Sequence, residues 1–235
     1  MEILTIGSGS SGNCYRLKGV ATSILLEAGI TYARVKKALE FKTRDVQAVL
    51  ITHEHLDHAK YAQDFLKNGI DVYMTAGTQE ALGLQDHYRL HILQAHIVTR
   101  IGEFIVLPFE AIHDAKEPVN FLIANEESNL LYATDTQYIK YRIPNLTHIM
   151  LEANYSHTLL QENIDDGIIH RMLGNRIMNS HMSLESAVDY LEKIDKTQLR
   201  EVHLIHLSSS NSDADEFKKI IQKTTGAIVS VAKGI

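Results

Sequence analysis

Apolar and polar residues alternate over short runs in the first half of the chain. Ile3, Leu4 and Ile6 lead into a glycine-rich segment, Tyr15 and Leu17 alternate with polar neighbours, and Ile24 to Leu26 continue the pattern. A period of two over so few residues predicts a hairpin or meander. Val46 to Ile51 is a compact apolar run suited to a buried strand, Val72 to Met74 predicts a short strand, and Ile97 to Phe109 predicts further strands. Tyr61 to Leu66 and Thr78 to Leu84 have helical spacing. Phe121 to Ala124 and Leu130 to Ala133 flank a polar turn and predict a hairpin, and Leu146 to Leu151 predicts another strand. Later, helices are expected over Ile164 to Leu173, over Leu184 to Ile194 (opened by Ser183, with Glu185 in its first turn) and over Asp213 to Gln222. Strands are expected at Val202 to Leu207 and Ile228 to Val231. Strand clusters with helices interposed in both halves predict an α/β fold of two mixed sheets packed face to face, with helices outside.

No repeat, low-complexity tract or Gly/Ser linker divides the 235 residues, so one domain over 1–235 is expected. With 45% hydrophobic residues and 22% charged, the chain can build a core. No run approaches the ~18–20 apolar residues of a membrane span. The opening MEILTIGSGSSGN lacks the regions of a secretory signal. A lone Cys14 excludes an intrachain disulfide and a thiolate zinc finger, and points to a reducing cytoplasm. The formal charge of −6 has the wrong sign for a generic nucleic-acid binder. Against that stand 13 histidines, and histidine is the commonest metal ligand.

Gly7-Ser8-Gly9-Ser10-Ser11-Gly12 matches G-x-G-x-x-G after a strand. A dinucleotide site also needs a helix to hold the pyrophosphate. Asn13 to Thr22 has period-two character instead, so this is read as a glycine-rich turn near a ligand.

The strand Val46 to Ile51 runs into Thr52-His53-Glu54-His55-Leu56-Asp57-His58, an H-x-H-x-D-H at a strand-to-helix junction. In extended chain, residues i and i+2 point the same way, so His53 and His55 can grip one cation. Asp57 and His58, where the chain turns into a helix, can face a second. These four groups cannot complete two coordination shells, and the remaining ligands must come from other strand ends. His113 follows Phe109 to Ile112, Asp135 ends Leu130 to Thr134, and His206 ends Val202 to Ile205. The expected arrangement is His53, His55 and His113 on one metal, Asp57, His58 and His206 on the other, and Asp135 bridging. Donors that are all nitrogen or oxygen favour Zn²⁺ and permit Mn²⁺ or Fe.

Carrying these motifs, the sequence resembles the metallo-β-lactamase superfamily over nearly its whole length, and within it the compact YycJ/WalJ-like branch associated with DNA exonuclease activity. The matching stretches include Gly9 to Cys14, Leu25 to Gly29, His53 to His58, His113 to Ala115, Ala133 to Thr136, Glu152 to Asn154, Ser180 to Ser183 and His206 to Ser208. The resemblance implies an αββα sandwich, a dinuclear metal site at one edge, and hydrolysis of a phosphodiester or another ester-like bond. The family usually has Asp at Glu27, Gly-His-Leu-Ser at Ser180 to Ser183, and His at Tyr155; these departures bear on substrate choice.

The expected chemistry is in-line attack by a metal-bridging hydroxide, oriented by Asp57 and Asp135. His181 is expected to contact the phosphate or protonate the leaving oxygen, and Ser11 and Asn13 to lie beside the substrate. DNA or another phosphodiester is the expected partner, with no membrane; the oligomeric state is open, a homodimer included. Basic residues such as Lys36, Lys37, Arg171 and Arg176 look scattered rather than arranged in a stripe. The alternatives are a small ester, thioester or β-lactam at the same site, or a non-enzymatic module stabilised by metal.

Overall fold

The structure, a computed structural model, describes residues 1–234. The strands form two mixed sheets, one of six and one of seven. The chain divides into two compact units. One comprises Met1–Glu110, Ala115–Glu127 and the residues from Lys233; the other comprises Ala111–Asp114 and Ser128–Ala232.

In the first unit, β1 (Glu2–Gly7), β2 (Cys14–Lys18) and β3 (Ser23–Leu26) pair antiparallel, which is the expected meander. Helix α1 (Tyr32–Ala38) then leads to β4 (Val46–Leu50), parallel to β3. After β4 come the short helices α2 (Leu56–Ala59) and α3 (Ala62–Lys67), then β5 (Asp71–Thr75), α4 (Ala76–Ala81) and β6 (Leu90–Leu93), with β4, β5 and β6 parallel. Parallel neighbours need crossovers, and these helices supply them. All four residues of β3, and four of the five in β4, are buried, which explains their unbroken apolar runs. Phe65, Val49, Val72 and Leu25 anchor the core, which includes Cys14. Strands β7 (Thr99–Ile101), β8 (Phe104–Glu110) and β9 (Val119–Ala124) form an antiparallel ladder. The glycine-rich segment after β1 is a turn into β2 with no helix, so no dinucleotide fingerprint forms.

In the second unit, β10 (Asn129–Ala133), β11 (His148–Glu152), β12 (Glu201–Ile205) and β13 (Ile228–Val231) run parallel. Between β11 and β12 lie α5 (His157–Asp165), α6 (Arg171–Ser180) and α7 (Leu184–Lys193); α8 (Ala214–Thr225) precedes β13. The single helix expected over Ile164 to Leu173 is in fact two. The apolar spacing runs on across Asp165-Asp166-Gly167, but Gly167 takes a left-handed φ of 70°, and the His170 side chain then caps α6. Helices α5 and α6 approach closely at Gly174, where a Cβ would lie 2.5 Å from Ile164 Cδ1.

Register positions the polar residues. Ala133 pairs with Leu151, and Glu152 with Ile205. Three adjacent parallel strands therefore end together, with Asp135, Glu152 and His206 at or just past their C-terminal tips, the edge of an open α/β sheet where ligands bind. In the first unit Leu26 pairs with Leu50, so Glu27 and the Thr52 to His58 segment emerge from one edge in the same way.

Candidate metal centre

The first unit holds His53, His55, Asp57 and His58 in one turn of chain. His53 is buried, and its ring centroid lies 4.7 Å from that of His55 and 4.3 Å from that of His58. His58 Nε2 is 3.3 Å from Asp57 Oδ2. The turn is clamped by backbone: the Asn13 amide donates to Asp57 O at 2.7 Å, and the Ala28 amide donates to His58 O at 2.6 Å. Gly29 is required here, because a Cβ would sit 1.8 Å from Asp57 O.

Glu27 orients the histidines. Its buried carboxylate accepts from the Thr52 hydroxyl at 2.8 Å and the Thr52 amide at 3.2 Å. Thr52 Oγ1, having given its proton to Glu27, accepts from His53 Nδ1 at 2.9 Å. That fixes the tautomer with the proton on Nδ1 and the lone pair on Nε2.

The second unit gathers the rest. Donor atoms of Asp135, Glu152, His181 and His206 all lie within 4.8 Å of one another. His113 Nε2 is 3.5 Å from Asp135 Oδ2, while its Nδ1 donates to Ser180 O at 2.7 Å. The Asn154 amide holds His206 O at 2.9 Å. Glu152, fully buried, is the hub: Oε1 takes His181 Nδ1 at 2.7 Å and lies 3.3 Å from His206 Nδ1, and Oε2 takes the amides of Met182 at 3.1 Å and Thr136 at 3.4 Å. Burial raises the Glu152 carboxyl, yet the charge and hydrogen bonds of His181 and His206 bring it below the ordinary range. Burial likewise opposes charge on His181, but the Glu152 and Asp135 carboxylates hold that imidazole above its usual value.

Glu27, Asp135 and His206 all have left-handed φ, at 66°, 46° and 53°. Non-glycine residues held there store strain, which clusters at functional sites. Each unit thus presents preoriented imidazoles and carboxylates, a donor set that fits a divalent cation with nitrogen and oxygen ligands.

A family model described as the beta-lactamase superfamily domain matches residues 22–206. The chain belongs to that superfamily. The superfamily implies divalent metal, and its class of chemistry is metal-dependent hydrolysis. The chain is 27% identical over 223 residues to exodeoxyribonuclease WalJ of Streptococcus pneumoniae, covering 88% of this chain and 81% of that protein. It is 27% identical over 225 residues to exodeoxyribonuclease YycJ of Bacillus anthracis, covering 90% and 84%. Among solved structures, the metallo-beta-lactamase fold protein YhfI from Bacillus subtilis superposes with a TM-score of 0.73 at 18% identity, over 99% of this chain and 96% of that one. A diphosphatase from the PhnP family gives 0.69 at 16% identity, over 99% and 94%. The expected family and αββα fold are borne out.

Some expected site residues sit differently from others. Asn13 is buried, with Nδ2 3.1 Å from His58 Nε2 and 3.4 Å from Asp57 Oδ2, so it braces both side chains. Ser11 is exposed, with no hydrogen bond to any described residue. Tyr155, where the family usually has His, packs with Leu160 and Ile169. Glu152 was absent from the candidate residues. Its position at the end of an all-buried strand is the signal that marks it, since a carboxylate there demands partners. Among the described residues, no helix is long and apolar enough to cross a membrane.

Proposed function

We propose that this chain is a DNA exonuclease, cleaving phosphodiester bonds from strand ends with two divalent cations, and that both units serve one hydrolase domain. What carries the reading is the complete donor set, each half braced by its own buried carboxylate, in a chain similar over most of its length to two exodeoxyribonucleases. Following the superfamily resemblance, His53, His55, His113, Asp57, His58, His206 and Asp135 would hold the cations. Zn²⁺ is the first assignment, because every donor is nitrogen or oxygen and imidazoles dominate. The single buried cysteine agrees with a cytoplasmic setting.

Bound there, two cations would lower the pKa of a water toward neutrality and offset charge on the attacked phosphoryl group. Asp57 orients the attacking water. His181 supplies the proton: Glu152 engages Nδ1, so Nε2 is the atom left to meet the leaving oxygen. Asn13 keeps Asp57 and His58 in register.

The test is metal analysis of the purified protein beside a panel of single- and double-stranded DNA, RNA, bis-p-nitrophenyl phosphate and nitrocefin. Chelator-sensitive release of nucleotides from DNA ends, restored by Zn²⁺ or Mn²⁺, is expected. Turnover of nitrocefin with none of any phosphodiester would overturn the proposal.

A further inference from the structure

One cleft of the second unit lies outside the ligand set. Its volume is about 590 Å³, and it is bordered by residues 138–142, the loop after Asp135, and by α7. Tyr138 and Tyr141 keep 50% and 38% of their surface in water. Lys140 and Arg142 alternate with them, exposed and with no ion pair or hydrogen bond to any described residue. The other charges on the border are engaged. Lys193 pairs with Asp189 at 2.5 Å, and Glu185 accepts from the His157 amide at 3.2 Å. Lys140 and Arg142 are therefore left without a partner among the described residues, beside the one remaining carboxylate charge of Glu185. Tyr190 borders the same cleft with its ring, while its hydroxyl is enclosed by the protein.

Exposed aromatic faces interleaved with unpaired cations are the equipment that holds a single-stranded nucleic acid: rings stack on bases, cations meet phosphates, and neither needs a particular sequence. The loop is also tied to the metal-binding residues. The Thr136 hydroxyl donates to Tyr138 O at 3.1 Å, and Gln137 donates to Ile112 O at 3.0 Å and Met178 O at 3.1 Å. At ~3.3–3.6 Å per residue, Tyr138 lies within about 11 Å of Asp135 along the chain, and Arg142 within about 25 Å. A strand leaving the scissile bond would need only a few nucleotides to reach them.

We infer that this cleft holds the unpaired strand of a DNA end, with bases on Tyr138 and Tyr141 and phosphates at Lys140 and Arg142. The inference rests on the nuclease reading and adds the path of the strand.

The test uses the metal-loaded protein and a fluorescent, phosphorothioate-linked dT15 followed by anisotropy, with turnover of bis-p-nitrophenyl phosphate measured alongside. Tyr138→Ala with Tyr141→Ala should raise Kd about tenfold or more. Lys140→Ala with Arg142→Ala should flatten the slope of log affinity against log salt by about 1.4, at ~0.7 per phosphate. Turnover of the small ester, too short to extend into the cleft, should stay unchanged in both. Lys218→Ala with Lys219→Ala, which removes the same charge from α8 outside the cleft, should leave Kd unchanged. Wild-type affinity in both cleft variants, or losses matched by the α8 control, would overturn the inference. Failure of the nuclease reading shows separately, as a wild-type protein that cleaves neither ordinary DNA nor the small ester.

Discussion

Replacing Glu152 by glutamine swaps one acceptor oxygen for a donor amide at a buried carboxylate that four donors approach. Whichever oxygen becomes nitrogen, two donors lose their acceptor: either the imidazoles of His181 and His206, or the amides of Met182 and Thr136. A hydrogen bond to a charged group contributes about 1.5–3 kcal/mol, and a buried amide left unmet costs about 1–3 kcal/mol. Easier burial of the neutral side chain offsets part of this, so a net loss of about 2–4 kcal/mol is expected. At about 2–4 °C per kcal/mol for a chain of this length, the melting temperature should fall by about 4–16 °C. The orientation of His206 loosens at the same time, and such outer partners typically contribute 10–100-fold in metal affinity. Calorimetric melting, with and without metal, and competition against a chelator of known affinity read both effects. A variant that melts with the wild type and competes equally well would refute the view that Glu152 organises these histidines.

Gly29→Ala should shift the Asp57 turn, since the new Cβ would sit 1.8 Å from Asp57 O; metal content by elemental analysis is expected to fall together with stability. His181→Ala should cut turnover of bis-p-nitrophenyl phosphate by about 10²–10⁴-fold while bound metal, measured on the same sample, stays at the wild-type level; loss of metal instead would make His181 a ligand. Burial pushes the His148 pKa down to about 4 from 6.5, outweighing the pull of Glu201. The unfolded chain therefore takes up a proton below pH 6.5 that the folded chain refuses until about pH 4, and stability falls across that window. By pH 5 the cost is about 2 kcal/mol, so urea denaturation at pH 7 and pH 5 should show a smaller drop for His148→Gln than for the wild type. Glu103, whose carboxyl is lowered to about 2 by the amides of Val20 and Thr22, acts oppositely: its contribution is present at neutral pH and disappears only as pH falls toward 2. Glu103→Gln should remove it at pH 7, seen as faster amide exchange at residues 20–22.

The H-x-H-x-D-H was legible because it is local: one strand end and one helical turn bring three imidazoles and a carboxylate together within six residues. His113, Asp135 and His206 were legible one step further on, as polar residues just past apolar runs. Glu152 was not, because its role comes from parallel register and from the fold of Ser180 to Ser183 beside it, neither of which a linear pattern encodes. The glycine-rich segment after β1 was correctly set aside on the period of two that follows it. The same kind of evidence failed at Ile164 to Leu173, where apolar spacing continued through a break made by a left-handed glycine. Helix α1 and strand β6 escaped notice: α1 buries only Tyr32 and Val35, and β6 buries only Leu93. Lys140 and Arg142 carry no signal in the linear pattern; the loop sets them beside Tyr138 and Tyr141 along one cleft.

Cys14 is the chain's single thiol, wholly enclosed one residue after the asparagine that braces Asp57 and His58. Burial, with Glu27 nearby, also suppresses its ionisation. A disulfide reagent in bulk solvent therefore has nothing to attack while the native packing lasts, and each modification event counts an excursion of the β1–β2 region into an open state. The protein thus contains its own stopwatch: the rate of thiol labelling, timed with and without added cation, reports how firmly occupancy latches the strand that supports the histidines.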